Sequence, residues 1–201
     1  LLHDQCGKRG VTLLLLSDHG MELVSNSVDI RKIIANLGIG MSDLTYYIEA
    51  SKTRFWFHDE NAKQKMLGYL ACVESGTLLA YRDMHKYNVE FEDPSYGEYY
   101  FIPHPGTIFF PNDYYHPVAN IYLGITNKQT SSRLRNPMHR AYHGYLPEND
   151  SEKGTFLLAH DGYVTDRNEI RTIDVAPTII DLLGYAQPSS MTGKSAFAPR
   201  I

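Results

Sequence analysis

Cysteine is nearly absent: Cys6 and Cys72 are the only two in 201 residues. They are too few for a disulfide framework and show neither CxxC nor Cys/His zinc spacing, so the pair reads as two buried thiols or a single bridge. Long apolar runs are missing as well. The longest, Val11 to Leu16, is far short of the roughly 20 residues that cross a bilayer, so no transmembrane segment is expected. Charge of one sign does not accumulate either. The formal net charge is -4 and basic residues come as scattered pairs such as Lys8-Arg9, which gives no footprint for a nucleic-acid backbone. No polynucleotide partner is expected. Initiator Met and signal peptide are both lacking, and the opening Leu-Leu-His-Asp-Gln reads like the end of an amphipathic helix. The expectation is a longer polypeptide whose N-terminal part precedes this sequence, which leaves the compartment open, an extracellular or secretory one included.

What is present is ordinary globular composition, 43% hydrophobic and 21% charged, enough for a sizeable core. Val11 to Leu16 is followed by the polar break Ser17-Asp18-His19-Gly20, the pattern of a strand buried on both faces of a sheet. The break then falls at a strand's C-terminal end, where open α/β sheets bind ligands. Ser27 is placed to cap a helix with Ile30, Ile33, Ile34 and Leu37 on one face and Gly38 as its stop. From Thr45 the pattern changes. Strands are expected at 45–50, 54–58 and 76–82, with a helix over 59–74 capped by Asp59 and apolar at Ala62, Met66, Leu70 and Val73. Residues from about 83 to 136 are rich in Tyr, Pro, Gly and Asn, with short strands at 99–102 and 107–110. Thr155 to His160 repeats the buried-strand pattern, and Asp174 to Leu183 reads as a helix with Val175, Ile179, Leu182 and Leu183 inward and Gly184 as its stop. The expected architecture is an α/β core from 1–38 and 137–201, interrupted by a small α+β cap over 39–136.

Asp18-His19-Gly20 sets a hard carboxylate oxygen and an imidazole nitrogen beside a residue small enough for close backbone approach, a pair suited to a divalent metal such as zinc. The plainer alternative is a strand-ending turn with Asp18 bonded to a backbone N–H and His19 exposed. His143-Gly144-Tyr145 precedes a polar loop, Leu146 to Gly154, that leads into the second buried strand and can bring His143 to the same sheet edge. A histidine before glycine is by itself more often a turn residue. His139 lies four residues earlier and competes for the ligand role on a helix, although Pro137 and Gly144 argue against a regular helix there.

The run Leu-Leu-Leu-Leu-Ser-Asp-His-Gly-Met at 13–21 is followed by Tyr-His-Gly-Tyr at 142–145 and Gly-Thr-Phe-Leu-Leu-Ala-His at 154–160. Ile-Asp-Val-Ala-Pro-Thr at 173–178 and Leu-Leu-Gly at 182–184 complete the set. Together they resemble the type I phosphodiesterases and nucleotide pyrophosphatases of the alkaline phosphatase superfamily, strongly at both ends and faintly from about 38 to 136. The resemblance implies a three-layer alkaline-phosphatase-like sheet and two divalent metal ions, zinc being the expected one. It makes Asp18 and His19 ligands of one metal and His143 a ligand of the other. It also implies hydrolysis of phosphodiester or pyrophosphate bonds in small phosphate-ester or nucleotide substrates. The family's Thr or Ser nucleophile and its remaining metal ligands precede Asp-His-Gly-Met and have no match here. No catalytic nucleophile is therefore assigned, and the chain is expected to need its missing N-terminal part for turnover. In the implied scheme the nucleophile forms a covalent intermediate that water then resolves, with retention after two in-line displacements. His160-Asp161-Gly162-Tyr163 replaces the family's usual His-Gly-Pro, and His160 and Asp161 receive no role. A phosphatase, phosphonate hydrolase, phosphomutase or sulfatase of the same superfamily is the alternative, as is a non-catalytic interaction module.

Other constellations are weaker. Ser17, Asp18 and His19 are the residue types of a hydrolase triad, but neighbours at a strand end point in different directions. His58, His85, His104 and His116 are dispersed and read as surface or packed side chains. The aromatic stretch of Tyr96, Tyr99, Tyr100, Phe101, Phe109, Phe110, Tyr114 and Tyr115 suits packing better than base stacking. Asn149-Asp150-Ser151 fits the N-glycosylation pattern, which matters only in a secreted protein.

Overall fold

A computed structural model describes residues 2–126, 138–159, 163–165 and 167–199. The chain forms two compact units, residues 1–18 with 154–201, and residues 19–153.

The larger unit is built on a four-stranded antiparallel sheet in the order β4-β5-β7-β6. Its strands are β4 (Leu44–Ile48), β5 (Thr53–Phe57), β6 (Gly76–Ala80) and β7 (Tyr99–Pro103). Helices α2 (Ile30–Asn36) and α3 (Glu60–Leu70) join it in one core. Ile30, Ile33 and Ile34 of α2 and Ala62, Met66 and Leu70 of α3 pack there with Leu44, Ile48, Phe55, Phe101 and Phe109. Removing each large apolar side chain from water contributes about 1.5–3 kcal/mol. The expected cap residue Asp59 does start α3, its carboxylate accepting the Ala62 N–H at 2.7 Å. For α2 the expected cap is corrected. Asp29 accepts the Lys32 N–H, while Ser27 lies in β3 (Asn26–Val28), which pairs in parallel with β8 (Thr107–Phe109). Gly38 ends α2 with φ +66, a left-handed conformation that favours glycine. The strand expected to run to Arg82 stops at Ala80, where a 3-10 helix over Tyr81–Tyr87 begins. Helix α4 (Pro117–Thr126) follows, and two short strands, β2 (Glu22–Leu23) and β9 (Ala141–Tyr142), pair antiparallel.

The smaller unit opens with α1 (Leu2–Lys8). Strand β1 (Leu13–Leu16) pairs antiparallel with β10 (Phe156–Ala159), Leu13 opposite Ala159 and Leu16 opposite Phe156. The expectation that these strands are buried on both faces is corrected. Among the described residues β1 has β10 as its one ladder neighbour, and Leu15, Leu16 and Leu157 are exposed. A strand is covered on both faces only when layers lie on both sides of its sheet. Helix α5 (Val175–Leu182) ends at Gly184, φ +75, yet its inward face is not the expected one. Pro177 and Thr178 are buried, and Ile179 and Leu183 are exposed. Segment 193–196 covers that inward face: the Thr178 hydroxyl donates to the Asp174 carbonyl at 2.6 Å and accepts the Ala196 N–H at 3.0 Å. Gly193 lies so close to the Ile173 carbonyl that a side-chain carbon there would overlap it. The expected buried thiols are corrected too. Both cysteines are free, Cys6 half-buried and Cys72 exposed just beyond the last buried residue of α3. No helix among the described residues is long and apolar enough to cross a membrane.

Candidate metal centre

The first motif begins where β1 ends. The Ser17 N–H donates to the Thr155 carbonyl at 2.9 Å, and the Ser17 hydroxyl accepts the Thr155 N–H at 2.8 Å. Ser17 thus extends the β1–β10 ladder by one residue. Asp18 follows, exposed. The His19 ring is half-buried, with Nδ1 2.6 Å from the Gly20 carbonyl oxygen. A carbonyl only accepts, so Nδ1 carries the proton and the lone pair of the neutral ring is on Nε2. A hydrogen bond from the other ring nitrogen is how metal-binding histidines are commonly held in one tautomer and orientation.

The second motif is placed by strand pairing. Antiparallel register sets Glu22 opposite Tyr142 and Leu23 opposite Ala141, so the chain leaving β9 at His143 returns alongside the residues just before β2. The outcome is a stacked pair: the His19 and His143 rings lie 3.6 Å apart between centroids and 13° from parallel. The Tyr142 ring lies 5.5 Å from that of His143, also at 13°, and His139 lies 5.3 Å from Tyr142. His139 therefore sits beyond Tyr142, and His143 is the residue that meets His19. Burial raises the Tyr142 hydroxyl's pKa, helped by the negative charge of Glu49. Tyr47 is raised to about 12, first by its hydrogen bond with Tyr114, then by desolvation and the charges of Glu49 and Asp113.

The glycine that follows each histidine is closely confined. A carbon added to Gly20 would clash with the Ser151 carbonyl and stand 2.8 Å from that of Lys153. One added to Gly144, φ +91, would stand 2.6 Å from the Ser51 hydroxyl. The segment over Gly20 is the 3-10 helix Asp150–Glu152. Its Glu152 accepts the Gly20 N–H on its backbone carbonyl at 3.3 Å and the Gly144 N–H on its carboxylate at 2.8 Å. Sequence reasoning treated this loop as a connector and missed Glu152. The available signal was an acidic residue in a short polar loop between Gly144 and Gly154.

The remaining candidates stay apart. His58 bonds Thr45, His104 bonds Thr77, and the His85 ring donates to the Arg82 carbonyl. The Asn149 side chain of the glycosylation pattern donates to the Leu146 carbonyl at 2.7 Å within its own turn. Of the aromatic stretch, Tyr100, Phe101 and Phe109 are buried, whereas Tyr96 and Tyr114 are exposed. His160 and Asp161 lie outside the described residues. Among those described, no three His, Cys, Asp or Glu side chains gather around one point. The two imidazoles nevertheless fit zinc in type, and the His19 tautomer leaves Nε2 unprotonated.

No family model matches the sequence. Human ectonucleotide pyrophosphatase/phosphodiesterase 5 superposes with a TM-score of 0.64 at 13% identity, over 96% of this chain and 46% of that one. The chain has the ectonucleotide pyrophosphatase/phosphodiesterase fold. The murine counterpart gives a TM-score of 0.64 at 11% identity, over 95% of this chain and 47% of that one. An inactive Thr-to-Ala form of the murine protein, in complex with AMP, gives 0.63 at 11%, over 95% and 46%. The chain therefore spans just under half the length of these solved relatives. A 2,3-bisphosphoglycerate-independent phosphoglycerate mutase from Gloeothece citriformis (strain PCC 7424) is 50% identical over 43 residues, 21% of this chain and 8% of that protein.

Proposed function

We propose that this chain supplies part of a two-metal site in a phosphodiesterase or nucleotide pyrophosphatase that hydrolyses small phosphate esters of the nucleotide type. His19 and His143 are the ligands, with Asp18, the residue before His19, as a third. The observation that carries the reading is the histidine pair, brought into stacking contact by two motifs more than a hundred residues apart. Divalent metals at such a site supply positive charge for the phosphoryl oxygens and an acidified hydroxyl. This chain's own residues hold the two imidazoles side by side and fix the tautomer of His19. The nucleophilic Thr or Ser lies in the part of the polypeptide expected upstream. The exposed side chains of Leu15, Leu16 and Leu157 are assigned to packing against that part, and the catalytic core to residues 1–38 and 137–201, with 39–136 as its cap.

The test uses the complete parent protein. His143→Ala and Asp18→Ala are expected to reduce bound zinc and abolish diester hydrolysis while leaving the unfolding midpoint close to that of the parent. Unchanged zinc content together with unchanged hydrolysis rejects the reading. The match to a phosphoglycerate mutase supports a second one, a phosphomutase using the same metal ligands. Assaying the parent against nucleotide diesters and phosphoglycerates separates the two, and inactivity on both with no bound metal identifies a non-catalytic interaction module.

A further inference from the structure

We infer that Glu152 is a positioning residue that sets the spacing of the His19 and His143 rings, an inference that rests on the proposed role of those histidines as metal ligands. Each histidine is followed by a glycine, and both glycines are held by this one residue. The Glu152 backbone carbonyl takes the Gly20 N–H at 3.3 Å and its carboxylate Oε2 takes the Gly144 N–H at 2.8 Å. The two bonds act on the peptide units immediately after the two rings. Neither loop can drift without breaking one of them. The Gly20 side is also fixed sterically, because the Ser151 and Lys153 carbonyls lie where a side chain would start. The Gly144 side depends on the carboxylate and on the contact with Ser51.

The second carboxylate oxygen points to more than loop packing. Oε1 is buried with no hydrogen-bond partner among the described residues. Burying an oxygen without a partner is unfavourable, so holding the Gly144 N–H does not by itself account for it. Outer contacts of this kind alter metal affinity by about 10–100-fold when removed.

The geometric claim is tested on the metal-stripped parent protein carrying isotope-labelled histidine. Two parallel rings at 3.6 Å shield each other, so the His19 and His143 ring protons resonate upfield of ordinary histidine positions, with assignments from His19→Gln and His143→Gln. Glu152→Met keeps the side-chain length and the backbone carbonyl but removes the acceptor, and it is expected to abolish the upfield displacement. Glu152→Gln restores an acceptor and is expected to retain it. Where Glu152→Met does not fold by circular dichroism, Glu152→Asp replaces it, since a carboxylate one methylene short of the Gly144 N–H is expected to lose the displacement too. In the parent protein Glu152→Met is expected to weaken zinc about 10–100-fold in chelator competition. Retained upfield signals in Glu152→Met or Glu152→Asp overturn the inference, as does their loss in Glu152→Gln. Failure of the parent to bind zinc at all counts against the metal reading alone, because the ring signals report the spacing without metal.

Discussion

Substituting Gly20 with Ala tests whether the loop over the Asp-His-Gly turn is as tight as its geometry requires. The added carbon would lie 2.8 Å from the Lys153 carbonyl and closer still to that of Ser151, where ordinary contact begins at 3.4 Å. Backbone carbonyls must therefore retreat, and the 3.3 Å bond from the Gly20 N–H to Glu152 is long already. Overpacking of this kind costs about 1–3 kcal/mol, and losing the hydrogen bond adds about 1 kcal/mol. Against this, Ala stiffens the unfolded chain by about 0.4–1 kcal/mol. The net expectation is a loss of roughly 1–3 kcal/mol, at about 2–4 °C of Tm per kcal/mol for a chain of this length. Gly68→Ala is the control. Gly68 lies within α3 with nothing inside 4 Å of an added carbon, so the same change should stabilise by roughly 0.5–1 kcal/mol. Urea unfolding of both variants gives the comparison, and histidine ring signals report whether the pair separates in Gly20→Ala. Equal stability of Gly20→Ala and the parent sequence, with the histidine signals unmoved, would refute the close approach and the role given to it.

Phe101 is fully buried against Phe109 at 5.6 Å between ring centroids, and Phe101→Ala should cost about 3–5 kcal/mol, read as a shift in the urea midpoint. Asp59→Ala removes the acceptor for the Ala62 N–H and should cost about 1 kcal/mol, with a matching loss of helical circular dichroism on heating. Asp174 gives a pH dependence. Burial raises its carboxyl, but the N–H groups of Lys194 and Arg171 and the charges of Arg171 and Arg167 outweigh that and hold it below the ordinary carboxylate value. Its folded pKa being lower than its unfolded one, its contribution is complete above about pH 4 and is lost as pH falls through the folded value. Urea midpoints from pH 6 to pH 2 should fall less steeply in Asp174→Asn than in the parent sequence; parallel curves would remove Asp174 from the account.

Local signals in the sequence carried the helix starts and stops well. Asp59, the face of Ala62, Met66 and Leu70, and the left-handed stops at Gly38 and Gly184 each follow from chemistry within a few residues, and each is in the structure. The misreadings arose where a distant segment decides. Ser27 has the side chain of a cap, but parallel pairing with Ile108 holds its backbone in a strand. The face of α5 bearing Ile179 and Leu183 is the more apolar, yet the segment containing Gly193 and Ala196 covers the opposite face, through hydrogen bonds that no periodicity reveals.

The histidine pair shows the same division. Motif order and the family resemblance named His19 and His143, and Pro137 and Gly144 argued against a regular helix at the competing His139, but nothing local says that the two rings face each other. That follows from the pairing of β2 with β9, strands of two residues each, too short to be read from alternation. So short a ladder cannot hold two loops in register alone, because each strand contributes few backbone bonds and their ends fray readily. Further restraint must come from outside it. The structure provides that restraint at Gly20 and Gly144, the positions where a side chain would exclude the covering segment or the Ser51 hydroxyl. Glycine in both motifs thus serves to bring two imidazoles within 3.6 Å, at Gly20 because backbone carbonyls exclude a side chain and at Gly144 because of its φ of +91, and a methyl group at either glycine should part the rings before it unfolds the chain.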